Sequence, residues 1–118
     1  DIFEILDKEE KRLPTKELIE KFAYQRLGHP KEDAAMLEAM SPARNAEKIN
    51  VPVLLIASRF DSTVPIKHGN LMNKALQKAN KDFDYIVLTN SGHNPFTDKR
   101  DNRQVLTALE IFLASHLK

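Results

Sequence analysis

The stretch that most constrains the fold is a run of apolar residues near the middle of the chain. Val53 to Ala57 carries only apolar side chains, follows Pro52, and ends at a polar turn that contains Asp61. A continuous apolar run of this length is typical of a strand buried on both faces inside a parallel sheet. The pattern recurs at Tyr85 to Leu88, which leads into a second polar turn, and this turn contains His93. The sequence therefore predicts two buried strands, each followed by an ionisable side chain.

One predicted helix separates the strands, and another follows the second strand. Apolar residues recur at helical spacing from Pro65 to about Ala79 and, after a loop over 89–102, from Val105 to the C-terminus. A strand–helix–strand crossover is right-handed and makes the two strands parallel. The predicted fold class is therefore α/β, with at least two parallel strands flanked by helices in residues 51–118. Residues 1–50 are predicted to be a helical lead-in to the same single, partial domain, with a buried face formed by Met36, Leu37 and Met40.

Asp61 and His93 are the candidate catalytic residues. Alone, an aspartate after a strand more often forms an Asx-turn or caps a helix, and a histidine there is more often a polar loop residue. Together they are more informative, because the carboxyl ends of parallel strands meet at one edge of the sheet, where such folds hold catalytic groups. Their chain order also matches the last two members of a Ser…Asp…His triad.

Composition excludes several other classes of function. The formal net charge is +1, from 18 basic and 17 acidic residues, and no basic stripe indicates a nucleic-acid partner. No apolar run approaches the length of a membrane span, and the absence of cysteine suits a cytoplasmic protein. His29, His68 and His116 lack metal-ligand spacing with His93, and no glycine-rich phosphate loop is present. We therefore expect neither a metal nor a cofactor.

These motifs resemble a known family. Residues 41–118 are similar to the C-terminal part of the α/β-hydrolase domain of the prolyl oligopeptidase family of serine peptidases, and the similarity extends back to about residue 24. The matching stretches are SPARNAEKINVPVLLIASRFDSTVP, then YIVLTNSGHNPF, then the terminal IFLASHLK. The resemblance implies that Asp61 is the catalytic aspartate and His93 the catalytic histidine, with peptides as substrates. One departure is Ala57-Ser58, where the family usually has a His-Gly-type pair.

The nucleophile of such a triad is not recognisable in this chain. The family places it in G-x-S-x-G, on a strand-to-helix elbow. The chain has only 3 glycines, and none of its serines lies between two of them at that spacing; the serines are Ser41, Ser58, Ser62, Ser91 and Ser115. The sequence is therefore interpreted as the C-terminal part of a catalytic domain, and this part alone is expected to be inactive.

Two alternatives to a serine peptidase stay open at this point. An esterase or other small-molecule hydrolase of the same fold would use the same acid and histidine, since fold does not choose between ester and amide. A non-catalytic interaction or dimerisation module would instead use the edge of the Val53–Ala57 strand. Because that strand needs neighbours on both sides, we expect the chain to form a homo-oligomer or to pair with a missing N-terminal part of its domain.

Overall fold

The computed structural model describes residue 15 and residues 18–117. The chain divides into two compact units, with the boundary between residues 48 and 49. Of the predicted helical lead-in over residues 1–50, the parts at residues 1–14 and 16–17 lie outside the described residues. No helix in the described part of the chain is long and apolar enough to cross a membrane.

The first unit consists of short helical segments. A π-helix at Ile19–Tyr24 runs into helix α1 (Gln25–Leu27), and the chain leaves it at Gly28 with a φ of 96°, which favours glycine. Helix α2 spans Ala34–Met40. Two 3₁₀ turns complete the unit, at Pro42–Arg44 and Ala46–Lys48.

The buried face predicted for α2 is only partly correct. Leu37 is completely buried, but Met36 is 46 % exposed and Met40 is 59 % exposed. A helix of seven residues presents two turns, and here only the central leucine has neighbours on every side. The prediction was therefore wrong for the two methionines.

The second unit alternates strands and helices. It contains β1 (Val53–Ser58), α3 (Ile66–Lys78), β2 (Phe83–Leu88) and α4 (Lys99–His116). The strands are parallel and pair in register from Val53 with Phe83 to Ser58 with Leu88. This two-stranded parallel sheet flanked by helices confirms the predicted α/β fold class. The register also brings the two polar turns to the same edge of the sheet, since both follow the last pair.

Helix α3 packs closely on one face of the sheet at a glycine. A Cβ atom added at Gly69 would lie 2.7 Å from the Cβ of Ala57 and 2.8 Å from the hydroxyl oxygen of Tyr85. A larger residue at this position would therefore separate the helix from the sheet. At its other end, α3 stops where Asn80 adopts the left-handed conformation expected of a stop residue, with a φ of 51°.

Two sequence expectations about this unit need correction. The residues Val53 to Ala57 are half-buried rather than buried on both faces, because β2 is the only strand that pairs with β1 in the described part of the chain. Helix α4 begins at Lys99, several residues before the predicted start. Its cap is Asp98, whose side chain accepts the backbone N–H groups of Arg100 at 2.9 Å and Asp101 at 3.2 Å.

Candidate active site

The first polar turn holds Asp61 by its own backbone. One carboxylate oxygen, Oδ1, accepts the N–H groups of Thr63 and Val64, each at 2.8 Å. This is an Asx-turn, so the structural role that sequence considerations favour for a lone aspartate is present here. The second oxygen, Oδ2, is not used by the turn and points to the other loop. The Asp61 side chain is only 11 % exposed.

The second polar turn brings His93 to that free oxygen. Nδ1 of His93 lies 2.9 Å from Oδ2 of Asp61. The His93 side chain is 61 % exposed, so the edge of the ring that carries Nε2 is open to a reactant. The structure thus joins the two candidate residues in the arrangement that orients an imidazole for proton transfer: a carboxylate on one ring nitrogen and access to the other.

The surroundings of Asp61 favour its ionised form. Burial raises the pKa of the carboxyl group, but the hydrogen bonds from the Val64 N–H, the His93 side chain and the Thr63 N–H together lower it below the ordinary value. An ionised Asp61 has no proton of its own to donate. The proton of the hydrogen bond between the two side chains must then lie on Nδ1 of His93, which leaves Nε2 as a proton acceptor whenever the ring is neutral.

A buried polar cluster holds the turn before His93, and sequence reasoning missed it. The Asp101 carboxylate, in the first turn of α4, is completely buried and accepts hydrogen bonds from Asn90 and Ser91. The Ser58 hydroxyl, at the end of β1, donates to the backbone carbonyl of Ser91. An acidic residue three positions after the cap Asp98 is a recognisable helix-start signal, but it does not show that the side chain turns back to residues 90 and 91.

The charged residues near the two polar turns do not form a comparable grouping. Of the charged loop and helix-end residues, Arg100 pairs with its own helix cap Asp98 at 3.1 Å, and Arg59, Lys99 and Arg103 are exposed. In residues 18–117 there is no group of three or more histidine, aspartate or glutamate side chains placed to hold a metal ion.

Comparison with known proteins agrees with the resemblance seen in the motifs. The model of the prolyl oligopeptidase family matches residues 5–118, which is nearly the whole chain. Neither the search of curated proteins nor the search of solved structures gave a match. The family match covers both units and both polar turns, so this chain belongs to the prolyl oligopeptidase family and is a serine peptidase-type hydrolase domain.

Proposed function

We propose that this chain supplies the aspartate and the histidine of a Ser-Asp-His triad in a peptide-cleaving enzyme. The observation that carries the proposal is the 2.9 Å hydrogen bond between Nδ1 of His93 and Oδ2 of Asp61. A lowered pKa keeps the acid ionised, and the open edge of the histidine ring leaves room for a reactant. Membership of the prolyl oligopeptidase family is the second support, because it favours peptides over other acyl substrates.

In the proposed reaction His93 is first a general base and then a general acid. Nε2 takes the proton of a serine hydroxyl as the serine oxygen attacks the carbonyl carbon of the scissile bond. The C–N bond of the tetrahedral intermediate then breaks, the amine leaves with that proton, and water hydrolyses the acyl-enzyme by the same two steps. Asp61 accepts the Nδ1–H throughout, which keeps the ring in the productive tautomer and stabilises the imidazolium.

The serine of the triad is proposed to come from polypeptide outside the 118 residues of this chain. Ser58 and Ser91 are buried, and the hydroxyl of each donates a hydrogen bond within the polar cluster. The Ser115 hydroxyl donates to the Ile111 carbonyl at 2.8 Å, within the last helix. The sequence also lacks G-x-S-x-G. We therefore expect the chain alone to hydrolyse neither peptides nor esters.

The test uses the longest protein whose reading frame contains this chain. We expect that protein to react with a fluorophosphonate probe at one serine and to cleave aminoacyl arylamides. His93→Ala is expected to abolish both reactions. His116→Ala is the matched control, since it removes an imidazole that contacts the ring of Phe112 in the last helix, and it should leave both reactions unchanged.

Three results would overturn the proposal. The first is full turnover by the His93→Ala variant, and the second is hydrolysis of an activated ester by the isolated chain that is lost in His93→Ala. The third concerns the substrate: amide and ester analogues with the same acyl group are compared, and cleavage of the ester alone would identify an esterase of the same fold.

The surface of the second unit suggests that more polypeptide packs against it. Four apolar residues of α4 are exposed: Leu106, Leu109, Ile111 and Leu113. The helix and the sheet line a cavity of about 730 Å³, whose apolar walls include Leu54, Ile86 and Ala108. A parallel pair of strands is not stable by itself, and exposed apolar surface of this kind marks an interaction site.

We propose that further polypeptide pairs with the free edge of β1. In the longer protein it would be another part of the same domain, and in the isolated chain it would be a second copy. Val53 and Arg59 donate their N–H groups to Asp82 and Leu88, at the β2 side. Because N–H directions alternate along a strand, the N–H of Ile56 points to the free edge.

Sedimentation of the isolated chain at micromolar concentration tests this pairing. We expect a dimer or a larger assembly, and we expect Ile56→Pro to weaken it, because proline removes a donor from the free edge and spares the bonds to β2. An unsubstituted chain that sediments as a monomer and unfolds cooperatively would overturn the proposal that the chain associates. Assembly that persists in Ile56→Pro would overturn the strand-edge geometry.

A further inference from the structure

Asp101 is the one titratable group in the described core that the proposed reaction does not use. Its side chain is completely buried, and burial of a carboxylate is costly unless hydrogen bonds compensate for it. Oδ1 accepts the side-chain amide of Asn90 at 2.7 Å. Oδ2 accepts the N–H of Asn90 at 3.0 Å, the N–H of Ser91 at 2.6 Å and the hydroxyl of Ser91 at 2.5 Å. Helix α4 is thus hydrogen-bonded, through Asp101, to two consecutive residues of the turn that leads to His93.

Strand β1 is also hydrogen-bonded to this turn. The hydroxyl of Ser58, which is 7 % exposed, donates to the carbonyl of Ser91, which is 3 % exposed. Ser58 also accepts, through its own carbonyl, the N–H of Asp61 at 3.4 Å. Ser91 is therefore connected to the acid loop through one residue, and it lies two positions before His93. A shift of Ser91 would move the imidazole relative to the carboxylate that orients it.

The chemistry of the cluster requires a carboxylate. Burial raises the pKa of Asp101, but the bonds from the side chains of Ser91 and Asn90 and from their backbone N–H groups lower it well below the ordinary range. All four partners are donors, so an ionised carboxylate can accept every bond. An asparagine would turn an N–H₂ group against at least one of these donors, which leaves buried polar groups unpaired.

We propose that Asp101 is a positioning residue, which acts through Ser91 to keep Nδ1 of His93 within hydrogen-bond distance of Asp61. The proposal rests on the proposed function for its consequence in catalysis, but not for its geometry. Ser58 is the second support of the turn.

The tautomer of His93 in the isolated 118-residue chain tests the geometry without any need for activity. Long-range ¹H–¹⁵N spectra, recorded where imidazoles are neutral at about pH 9, report which ring nitrogen carries the proton. We expect the Nδ1–H form in the unsubstituted chain and the more usual Nε2–H form in Asp61→Asn. Asp101→Asn should lower the ratio of Nδ1–H to Nε2–H roughly tenfold, the factor that corresponds to one lost hydrogen bond to a charged group.

Asp98→Asn is the matched control, since it removes a negative charge three residues earlier on the same helix. Its amide oxygen can still accept the N–H groups of Arg100 and Asp101, so the cap and the tautomer should both persist. If Asp101→Asn does not fold, the milder Ser91→Ala and Ser58→Ala decide, because each removes one hydroxyl and keeps the carboxylate. Tautomer ratios in these folded variants equal to that of Asp98→Asn would overturn the proposal.

Activity of the longer protein separates failure of this inference from failure of the proposed function. Asp101→Asn is expected to lower kcat more than it raises KM, because the residue is not proposed to touch the substrate. If the tautomer responds to Asp101→Asn while His93→Ala keeps full turnover, the positioning holds and the triad assignment fails. If His93→Ala abolishes turnover while Asp101→Asn changes neither tautomer nor kcat, the triad holds and the positioning fails.

Discussion

The acid loop, residues 59–65, and the histidine loop, residues 89–98, reach the same edge of the sheet by different means. Asp61 is fixed by its immediate neighbours, since its carboxylate accepts the N–H groups of Thr63 and Val64. The histidine loop is fixed from a distance, by Asp101 on α4 and Ser58 on β1. Asp61 is thus oriented by local chemistry and His93 by tertiary structure. We expect changes in the two loops to have different signatures.

Among changes in the acid loop, the largest expected effect comes from Asp61→Asn in the proposed longer protein. The amide oxygen of asparagine can still accept the N–H groups of Thr63 and Val64, so the turn should survive. Its N–H₂ group, however, then donates to Nδ1 of His93 and selects the wrong tautomer. We expect kcat to fall by up to about ten-thousandfold, as in the worked Ser-His-Asp example where the orienting carboxylate is lost. Steady-state kinetics on an arylamide substrate measure this.

Asp61→Ala sharpens the comparison between the loops. It removes both the turn and the contact to His93, so it should cost as much activity as Asp61→Asn and also lower the thermal midpoint. Asp82→Asn serves as the control, because Asp82 is exposed and bonds to β1 through its backbone carbonyl. Equal thermal midpoints for the alanine and asparagine variants would contradict the view that the acid loop is held by its own turn.

This difference between the loops also explains what the sequence could predict. The positions of Asp61 and His93 follow from two apolar runs and the rule for parallel strands, which need only local pattern and chain order. The Asx-turn of Asp61 is likewise a contact between near neighbours. The cluster of Ser58, Ser91 and Asp101 joins residues that are 10 and 33 positions apart, and no local pattern specifies that they meet.

Two predictions from the sequence that the structure corrects have physical explanations. The sequence predicts a later start for α4 than the structure shows, because Asp98 to Arg103 is a run of polar and charged residues without apolar periodicity. Only the cap of Asp98 marks the boundary. The sequence predicts more burial for Val53 to Ala57 than the structure shows, because an apolar run indicates what a strand can bury and not how many neighbours it has. Periodicity therefore predicted the elements better than their ends or their environment.

A smaller effect, on stability, is expected from the two glycines of the second unit. Gly69→Ala forces its Cβ within 2.7 Å of Ala57 and 2.8 Å of the Tyr85 hydroxyl, and we expect it to lower the free energy of unfolding by about 1–3 kcal/mol. Gly92 lies in the histidine loop, and the Cβ of an alanine there would be 3.5 Å from the carbonyl oxygen of Phe60 in the acid loop, an ordinary contact. We expect a change within about 0.5 kcal/mol there.

Denaturant unfolding followed by circular dichroism measures both glycine variants in the isolated chain. The two variants distinguish two ways in which the acid loop and the histidine loop could be joined. One is through the hydrogen bonds of Asp61 and Ser58, and the other is through tight packing of the loop backbones. A loss in Gly92→Ala as large as that in Gly69→Ala would show that the backbones interlock, and the contrast between a locally held acid and a remotely held base would then have to be abandoned.

The smallest expected effect is on the titration of Asp61. Burial raises the pKa of this carboxyl group, and the N–H of Val64, the side chain of His93 and the N–H of Thr63 lower it, to a net value below the ordinary 3.8. Because the folded pKa is the lower one, ionisation of Asp61 contributes stability above the ordinary value, and that contribution is lost as the pH falls from there through the folded pKa.

His93→Ala removes one of the three lowering contacts and keeps the turn. We expect the pKa of Asp61 to rise in this variant, but to rise less than in a variant that breaks the turn, since the Val64 N–H has the largest lowering effect. The ¹³C shift of the Asp61 carboxyl carbon against pH measures it, and a rise in His93→Ala as large as in the turn-breaking variant would mean that the histidine, and not the local turn, holds the acid in its ionised form.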